Sequence, residues 1–499
     1  MMLLCGMALL CSTGLVLTAL AQSNKLVVVD NEGNVHVTGP HAGELEIGDS
    51  LFVPHEPAER WAFVAKLSGS GEVMWARQFP GSGYTADGIN GLAVDDDGNG
   101  YISGAFRGMG ELDGLDTPTA GTMIIKYNPD GRFEWTERLH SYPLDVTMDT
   151  NGRVRAVGSD LNGGPAATIA IDRWGTTLWQ NRAGTGRNSL MWAVSASRDG
   201  HVSQIGFFGF TSFVRHEDAV GNEVWMRLIE GVGAGGGSRI MSVDVDSAGN
   251  TIVAGAYAGT LRFEIDHHLT GGTHFLAMYD PFGNVMWADN LPDMDVGNHL
   301  TSLVVDETGQ IHTAATVFDF SRDGSIGILL TGYVPGVGQS YSRYLDNVWT
   351  GSYAANVLDV HRGKLYLAAY ARNADYIADM TLLLNAPASH FFVGRFDLQT
   401  QVSRVGPAEL PRTARLFAPH PNPVASRGVV PFETNTTTPV DIRVYDVLGR
   451  EVMVLMDATV PAGRHEVRFN RGALPGGVYV IRLITPTGTD TAPVTVINK

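Results

Sequence analysis

The stretch FVAKLSGSGEVMW (63–75), followed by LAVDDDGNGYISG (92–104), decides the fold. The first half reads as an apolar strand, a turn, and Gly-x-x-x-Trp in a second strand. The second half is an apolar alternation, then Asp-x-x-Gly, then a strand rich in Gly and Ala. Both halves recur along the chain, and such recurrence marks a repeat architecture. Phe63…Gly71…Trp75, Met123…Gly131…Trp135, Phe213…Gly221…Trp225 and Phe275…Gly283…Trp287 share the first template, and Gly175…Trp179 keeps its Gly-to-Trp spacing. The second template appears at 26–39, 91–106, 144–158, 193–207, 242–257, 302–316 and 356–370. Its Asp is Asp30, Asp95, Asp149, Asp246 and Asp306, with Ser197 and Val360 in the remaining copies.

This is the chemistry of hairpins. Alternating Val, Ile, Leu and Tyr make a half-buried strand. The Asp accepts hydrogen bonds from turn amides, and the Gly supplies a positive φ. The Trp offers a large face for packing one unit on the next. Read in the order Trp half then Asp half, six pairs run from about 62 to 372, the sixth without a Trp. A lone Asp half (26–39) and a lone opening half (390–405) remain, with Arg404 where a Trp would stand. Pairing of these two ends would complete a seventh unit and leave no exposed sheet edge. The sequence therefore predicts an all-β protein, a seven-bladed β-propeller over 22–405. Six or eight blades also fit, because the sixth pair is weak. A linker (406–415) and a small β-sandwich (416–499) follow, the latter read from Gly-marked turns and the alternations Ile442-Val444 and Val478-Val480.

Composition agrees. Of 499 residues, 44% are hydrophobic and 17% charged, a balance unlike that of a disordered chain. Gly (60) and Pro (23) are too dense for long helices. The net charge of −17 argues against a nucleic-acid footprint. Residues 1–21 are uncharged and apolar and end in Ala19-Leu20-Ala21, which predicts a signal peptide cleaved before Gln22. Cleavage would remove Cys5 and Cys11, the chain's two cysteines, and leave no segment able to span a membrane. It would also close off thiol catalysis and Cys-ligated metals.

The repeats resemble the secreted bacterial β-propeller repeat (SBBP type), best seen in FVAKLSGSGEVMW…LAVDDDGNGYISG and FLAMYDPFGNVMW…LVVDETGQIHT. That resemblance implies a fold and no catalytic residues. The C-terminal segment resembles the type A sorting domain of the type IX secretion system. The matching residues are Pro421-Asn422-Pro423, then Tyr445, Asp446, Gly449, Arg450, Glu451 and Val452, then Gly477 and Tyr479, and Lys499. The resemblance implies the secretion machinery as partner, and a product that is released or held at the cell surface.

Searching for chemistry yields little. No Gly-x-Ser-x-Gly elbow, His-Glu-x-x-His pair or phosphate loop occurs. GVGAGGGS (231–238) reads as a loop between strands. His267, His268 and His274 could offer imidazoles to a metal, and Asp95-Asp96-Asp97 could offer carboxylates to calcium. The loop and turn readings are preferred, so neither cofactor nor metal is expected. Glu111, Asp113 and Asp116 read as solvated. Trp75, Trp135, Trp179, Trp225 and Trp287 are assigned to packing between units rather than to carbohydrate. Two functions remain. The preferred one is a non-catalytic binding or adhesion scaffold for an extracellular glycan or protein. The alternative is a secreted hydrolase or lyase with acids converging in the central funnel. Specificity is expected in the insertions 40–60, 108–120, 259–273 and 373–389.

Overall fold

A computed structural model describes residues 25–42, 44–52, 60–80, 89–107, 111–112, 115–116, 120–139, 141–160, 166–183, 189–197, 200–208, 211–263, 267–291, 299–319, 325–335, 337–346, 348–349, 357–371, 381–384, 390–398, 414–417, 419–434, 437–446, 450–472, 474–485 and 488–497. The leader with Ala19, Ala21 and Gln22, and also Asp113, Arg404, Gly449 and Lys499, lie outside these. The described regular structure is all strand. No helix among the described residues is long and apolar enough to cross a membrane.

Through residue 397 the described main strands form seven successive four-stranded antiparallel units, numbered here in chain order. Unit 1 is Val27–Val29, Val35–Ala42, Arg60–Leu67 and Val73–Pro80. Units 2 and 3 repeat this plan over 89–138 and 141–183. Units 4 and 5 share one long strand, Glu223–Val245, which ends the first and begins the second. The glycine-rich run 231–238 lies inside it: Gly231 and Val232, then Gly237 and Ser238, pair with Thr251–Arg262, and 233–236 bulge out of the ladder between them as a short loop, as the sequence suggests. Glycine allows that bulge because it carries no side chain to misplace. Unit 6 spans 299–346.

The phase of the repeat differs from the sequence expectation. Each unit is an Asp hairpin followed by a Trp hairpin, in unbroken chain order. Val35–Ala42 pairs with Arg60–Leu67 and His390–Asp397 with Lys364–Ala371, so among the described residues the two end segments do not pair with each other. Unit 7 solves its missing fourth strand differently. Leu358–His361, Lys364–Ala371 and His390–Asp397 form three strands, and Thr381–Leu384, from the insertion 373–389, pairs on the outside of His390–Asp397. The ends still meet. One buried cluster joins Val27, Val37 and Phe63 of unit 1 to Leu367, Phe391 and Phe392 of unit 7. The Phe63 and Phe391 rings stand edge to face at 5.4 Å.

The C-terminal region has two sheets. Ala414–Leu416, Arg427–Thr434 and Gly463–Asn470 form one; Thr438–Asp446, Glu451–Val460, Gly477–Thr485 and Gly488–Val496 form the other. Alternating side chains of both, including Phe432 and Phe469 against Ile442 and Ile481, share one core. That alternation is the physical basis for a sheet with one wet and one dry face.

Candidate functional site

The repeat asparagines and aspartates build turns. In five units the Asp Oδ1 accepts amides two and four residues on: Asp30 from Glu32 and Asn34, Asp95 from Asp97 and Asn99, Asp149 from Asn151 and Arg153, Asp246 from Ala248 and Asn250, Asp306 from Thr308 and Gln310. Sequence reading missed the second partner. The residue six positions after the Asp reaches back to Oδ2: His36 at 3.4 Å, Tyr101 at 2.8 Å, Arg155 at 3.1 Å and His312 at 3.1 Å. Burial pushes the Asp30 carboxyl up, but hydrogen bonds from His36, Asn34 and Lys66 outweigh it and hold the group below the ordinary range. Asp306 behaves alike and is lowered to about 2, its hydrogen bonds from His312 and Thr308 overcoming burial. Asp95 is thus committed to a turn and to Tyr101.

The five repeat Trp residues sit where one unit meets the next. Trp75 Nε1 donates to Pro129 O (2.8 Å), Trp135 Nε1 to Arg173 O (2.9 Å) and Trp225 Nε1 to Pro281 O (3.1 Å). Each acceptor lies two residues before the next unit's turn glycine. At the joint from unit 3 to unit 4, Trp179 packs under Gly221, and Arg155 supplies the donor, to Ala219 O at 3.1 Å. The Arg155 guanidinium also lies 4.6 Å over the Trp179 ring. Unit 7 uses Arg395, which donates to Gly69 O of unit 1. Trp287 is the exception: its buried Nε1 has no partner among the described residues. The outer turn of unit 6 has a different form: Val337 N closes it on Val334 O, one residue before Gly338, whereas units 1 to 5 close theirs on the turn glycine's own amide.

The sequence assigns no lining residues to a funnel; the first strands of units 4 to 7 line a cavity of about 70 Å³. Its lining includes Lys25, Ser195, Asp244, Val304 and Asp359. Asp244 and Asp359 occupy equivalent places, opposite Ile252 and Tyr366 in their hairpins. Each carboxylate bridges to the following unit: Asp244 Oδ2 accepts Val305 N (2.8 Å) and Asp359 Oδ2 accepts Val29 N of unit 1 (2.6 Å). Asp145 does the same from unit 3, accepting Val194 N at 3.1 Å. Ser195 Oγ donates to Asp244 Oδ1 at 2.7 Å. Burial pushes Asp145 up to about 7, against the pull of Lys25 and the Val194 and Val146 amides. It pushes Asp359 up to about 6, against Lys25 and the Val29 and Val360 amides. Asp244 is raised by the same cause. The available signal was a charge in an otherwise apolar strand, in LDVTMD, SVDVD and LDVH.

The other candidates are dispersed. His274 is buried in the strand His274–Tyr279, while His268 lies in the two-residue strand His268–Leu269. Glu111–Leu112 pairs with Leu115–Asp116 in a small hairpin. Among the described residues, no three His, Cys, Asp or Glu side chains have metal-binding geometry. In the C-terminal region Asn422 Oδ1 accepts Thr495 N (2.8 Å), between Pro421 and Pro423. Asp446 caps the turn to Arg450, accepting its Nε at 2.8 Å, and Glu451 pairs with Arg443 at 2.6 Å. Gly477 opens a strand in which Tyr479 donates its hydroxyl to Pro475 O at 2.9 Å. The motif residues that are described therefore hold turns and strand ends.

A known family matches the C-terminal region. Residues 419–497 match the model of the secretion system C-terminal sorting domain. That domain marks cargo of the type IX secretion system, so the protein is secreted or anchored on the cell surface. No curated protein matches the chain. Among solved structures, a protein of unknown function from Bacteroides caccae is similar, with 12% identity and a TM-score of 0.36, covering 62% of this chain and 93% of that one. A puromycin hydrolase shares 12% identity at a TM-score of 0.42, covering 83% of this chain and 59% of its own. A calcium-binding protein, regucalcin, from Agrobacterium tumefaciens shares 9% identity at a TM-score of 0.32, covering 62% and 92%. These are distant likenesses to propeller-like proteins, and they assign no activity.

Proposed function

We propose that the chain is a type IX cargo in which seven units form a β-propeller and 416–499 a sorting sandwich. An N-terminal leader, 1–21, takes it into the periplasm. The mature propeller is a non-catalytic binding or adhesion scaffold at or beyond the cell surface. The observation that carries this reading is the use of the cavity acids. Asp244 and Asp359 accept backbone amides of neighbouring units, and the space they face, about 70 Å³, has room for a few waters and not for a polymer segment. Their chemistry is that of stitching.

The same carboxylates are what favours the alternative, a hydrolase or lyase, since raised acids in a cavity are a common mark of catalysis. The full chain and its D244N/D359N variant separate the two. Both are incubated with a panel of polysaccharides and unfolded proteins, and new reducing ends and peptides are measured. The scaffold reading expects no turnover from either. Turnover by the wild type that falls about 100-fold or more in the variant establishes the enzyme.

A further inference from the structure

Four consecutive units end their outer hairpins in an apolar side chain held in solvent. Trp174 and Phe282 are each 76% exposed, Val220 63% and Val337 58%. Trp174, Val220 and Phe282 occupy one register position, directly before Gly175, Gly221 and Gly283; units 1 and 2 place Ser70 and Asp130 there. One exposed apolar residue needs no explanation. The same position kept apolar on adjacent units does.

These tips are rigid. Asp172 Oδ1 accepts the amides of Trp174 (3.0 Å) and Thr176 (2.8 Å), and Asp280 Oδ1 those of Phe282 (2.9 Å) and Asn284 (2.8 Å). The turn glycine beneath each is packed on the preceding unit's Trp. Little backbone entropy is left to lose on binding. The tips are also separate points, divided by polar turn residues. A protein interface asks for one contiguous, desolvated core. A sugar polymer asks for spaced aromatic faces, each taking the C–H face of one ring against its negative π-face, with polar groups between for hydroxyls. Charge narrows the polymer further. Residues 22–405 carry 44 Asp and Glu against 25 Lys and Arg, a field that repels polyanions.

We infer that the outer-hairpin tips of units 3 to 5, centred on Trp174 and Phe282, form a binding rim for a neutral polysaccharide. The inference rests on the scaffold reading, with its own separate test above. Contacts on two or more units multiply through effective concentration, so removing two rings costs more than twice the loss of one.

The test is retention of the full chain on insoluble curdlan, mannan, xylan and chitin, with cross-linked pectate as the anionic comparison. The wild type should bind at least one neutral polymer and not pectate. W174A/F282A should lose about tenfold or more in affinity, while W174F/F282Y stays within about threefold. S70A, at the same position in unit 1, should bind like the wild type. Thermal melts of all three should match the wild type, since Trp174 and Phe282 are each 76% exposed and the Trp174 ring meets only loosely the exposed Arg173 guanidinium, 5.8 Å over its face. Undiminished binding by W174A/F282A, retention on pectate, or binding to none of the neutral polymers overturns the inference. The last result leaves the scaffold reading standing if no turnover is found.

Discussion

Two joints between units are instructive when set side by side. From unit 1 to unit 2, Trp75 lies against Gly131 and donates to Pro129 O at 2.8 Å. From unit 5 to unit 6, Trp287 is present at the same register but its Nε1 finds no partner among the described residues. The tryptophan is therefore only half of the device. The other half is a carbonyl two residues before the next turn glycine, filled by Trp at three joints and by Arg155 and Arg395 at two others. What repeats is the acceptor, and the donor varies.

The largest effect should come from filling the space under a docked ring. A Cβ at Gly131 would lie 2.5 Å from the Trp75 ring, and the residue has φ +77. Gly338 also has positive φ, but a Cβ there meets nothing within 4 Å. In urea melts, G131A should lose about 3 kcal/mol or more and G338A about 1 kcal/mol. Equal losses would mean that strain alone matters and docking does not.

Next in size is pH. Asp145 and Asp359 are raised to about 7 and about 6, above their value in the unfolded chain. Their contribution is fully present below about pH 4 and is lost as pH rises through 6 to 7, on the order of 3 kcal/mol per group. The turn carboxylate Asp306, lowered to about 2, has the opposite sign: its contribution is present above about pH 4 and is lost as pH falls through 2. D145N should flatten the stability profile between pH 4 and 8, read by denaturant midpoints, and an unchanged slope would remove the cavity acids from the account.

At the closing joint, R395A should cost about 1 to 2 kcal/mol by stranding Gly69 O. Replacing the indole donor tests the comparison directly. W75F and W287F remove similar volume, but only W75F breaks a hydrogen bond, so it should be about 1 kcal/mol the more harmful. The smallest effect should be at Arg482 and Asp289, a half-exposed pair at 3.2 Å between the sorting region and unit 5. D289N should change the melting free energy by less than about 1 kcal/mol.

Much of this was legible in the sequence, and the failures have physical causes. Strand identity, turn Asp, turn Gly and the role of Trp follow from side-chain chemistry within one hairpin. The phase of the units does not. Trp half then Asp half, and Asp half then Trp half, tile residues 62 to 372 alike, and only hydrogen bonds at the ends distinguish them. Val35–Ala42 chose its sequence neighbour Arg60–Leu67, and Thr381–Leu384, from outside the opening half 390–405, pairs on the outer side of His390–Asp397. The cavity acids were visible as charges in apolar strands, but their convergence depends on units distant in sequence. The partners of the turn Asp were missed because His36, Tyr101, Arg155 and His312 share a position and no chemistry.

The most direct measurement is cysteine cross-linking of the first unit in a chain lacking Cys5 and Cys11. Val37 faces Ala65 across the strand pair, at a separation that suits a disulfide. Oxidation of the triple variant V37C/A65C/V393C should link positions 37 and 65, identified by peptide mapping. A link of 37 to 393 with none of 37 to 65 would contradict the account, because it would leave Val35–Ala42 unpaired with Arg60–Leu67.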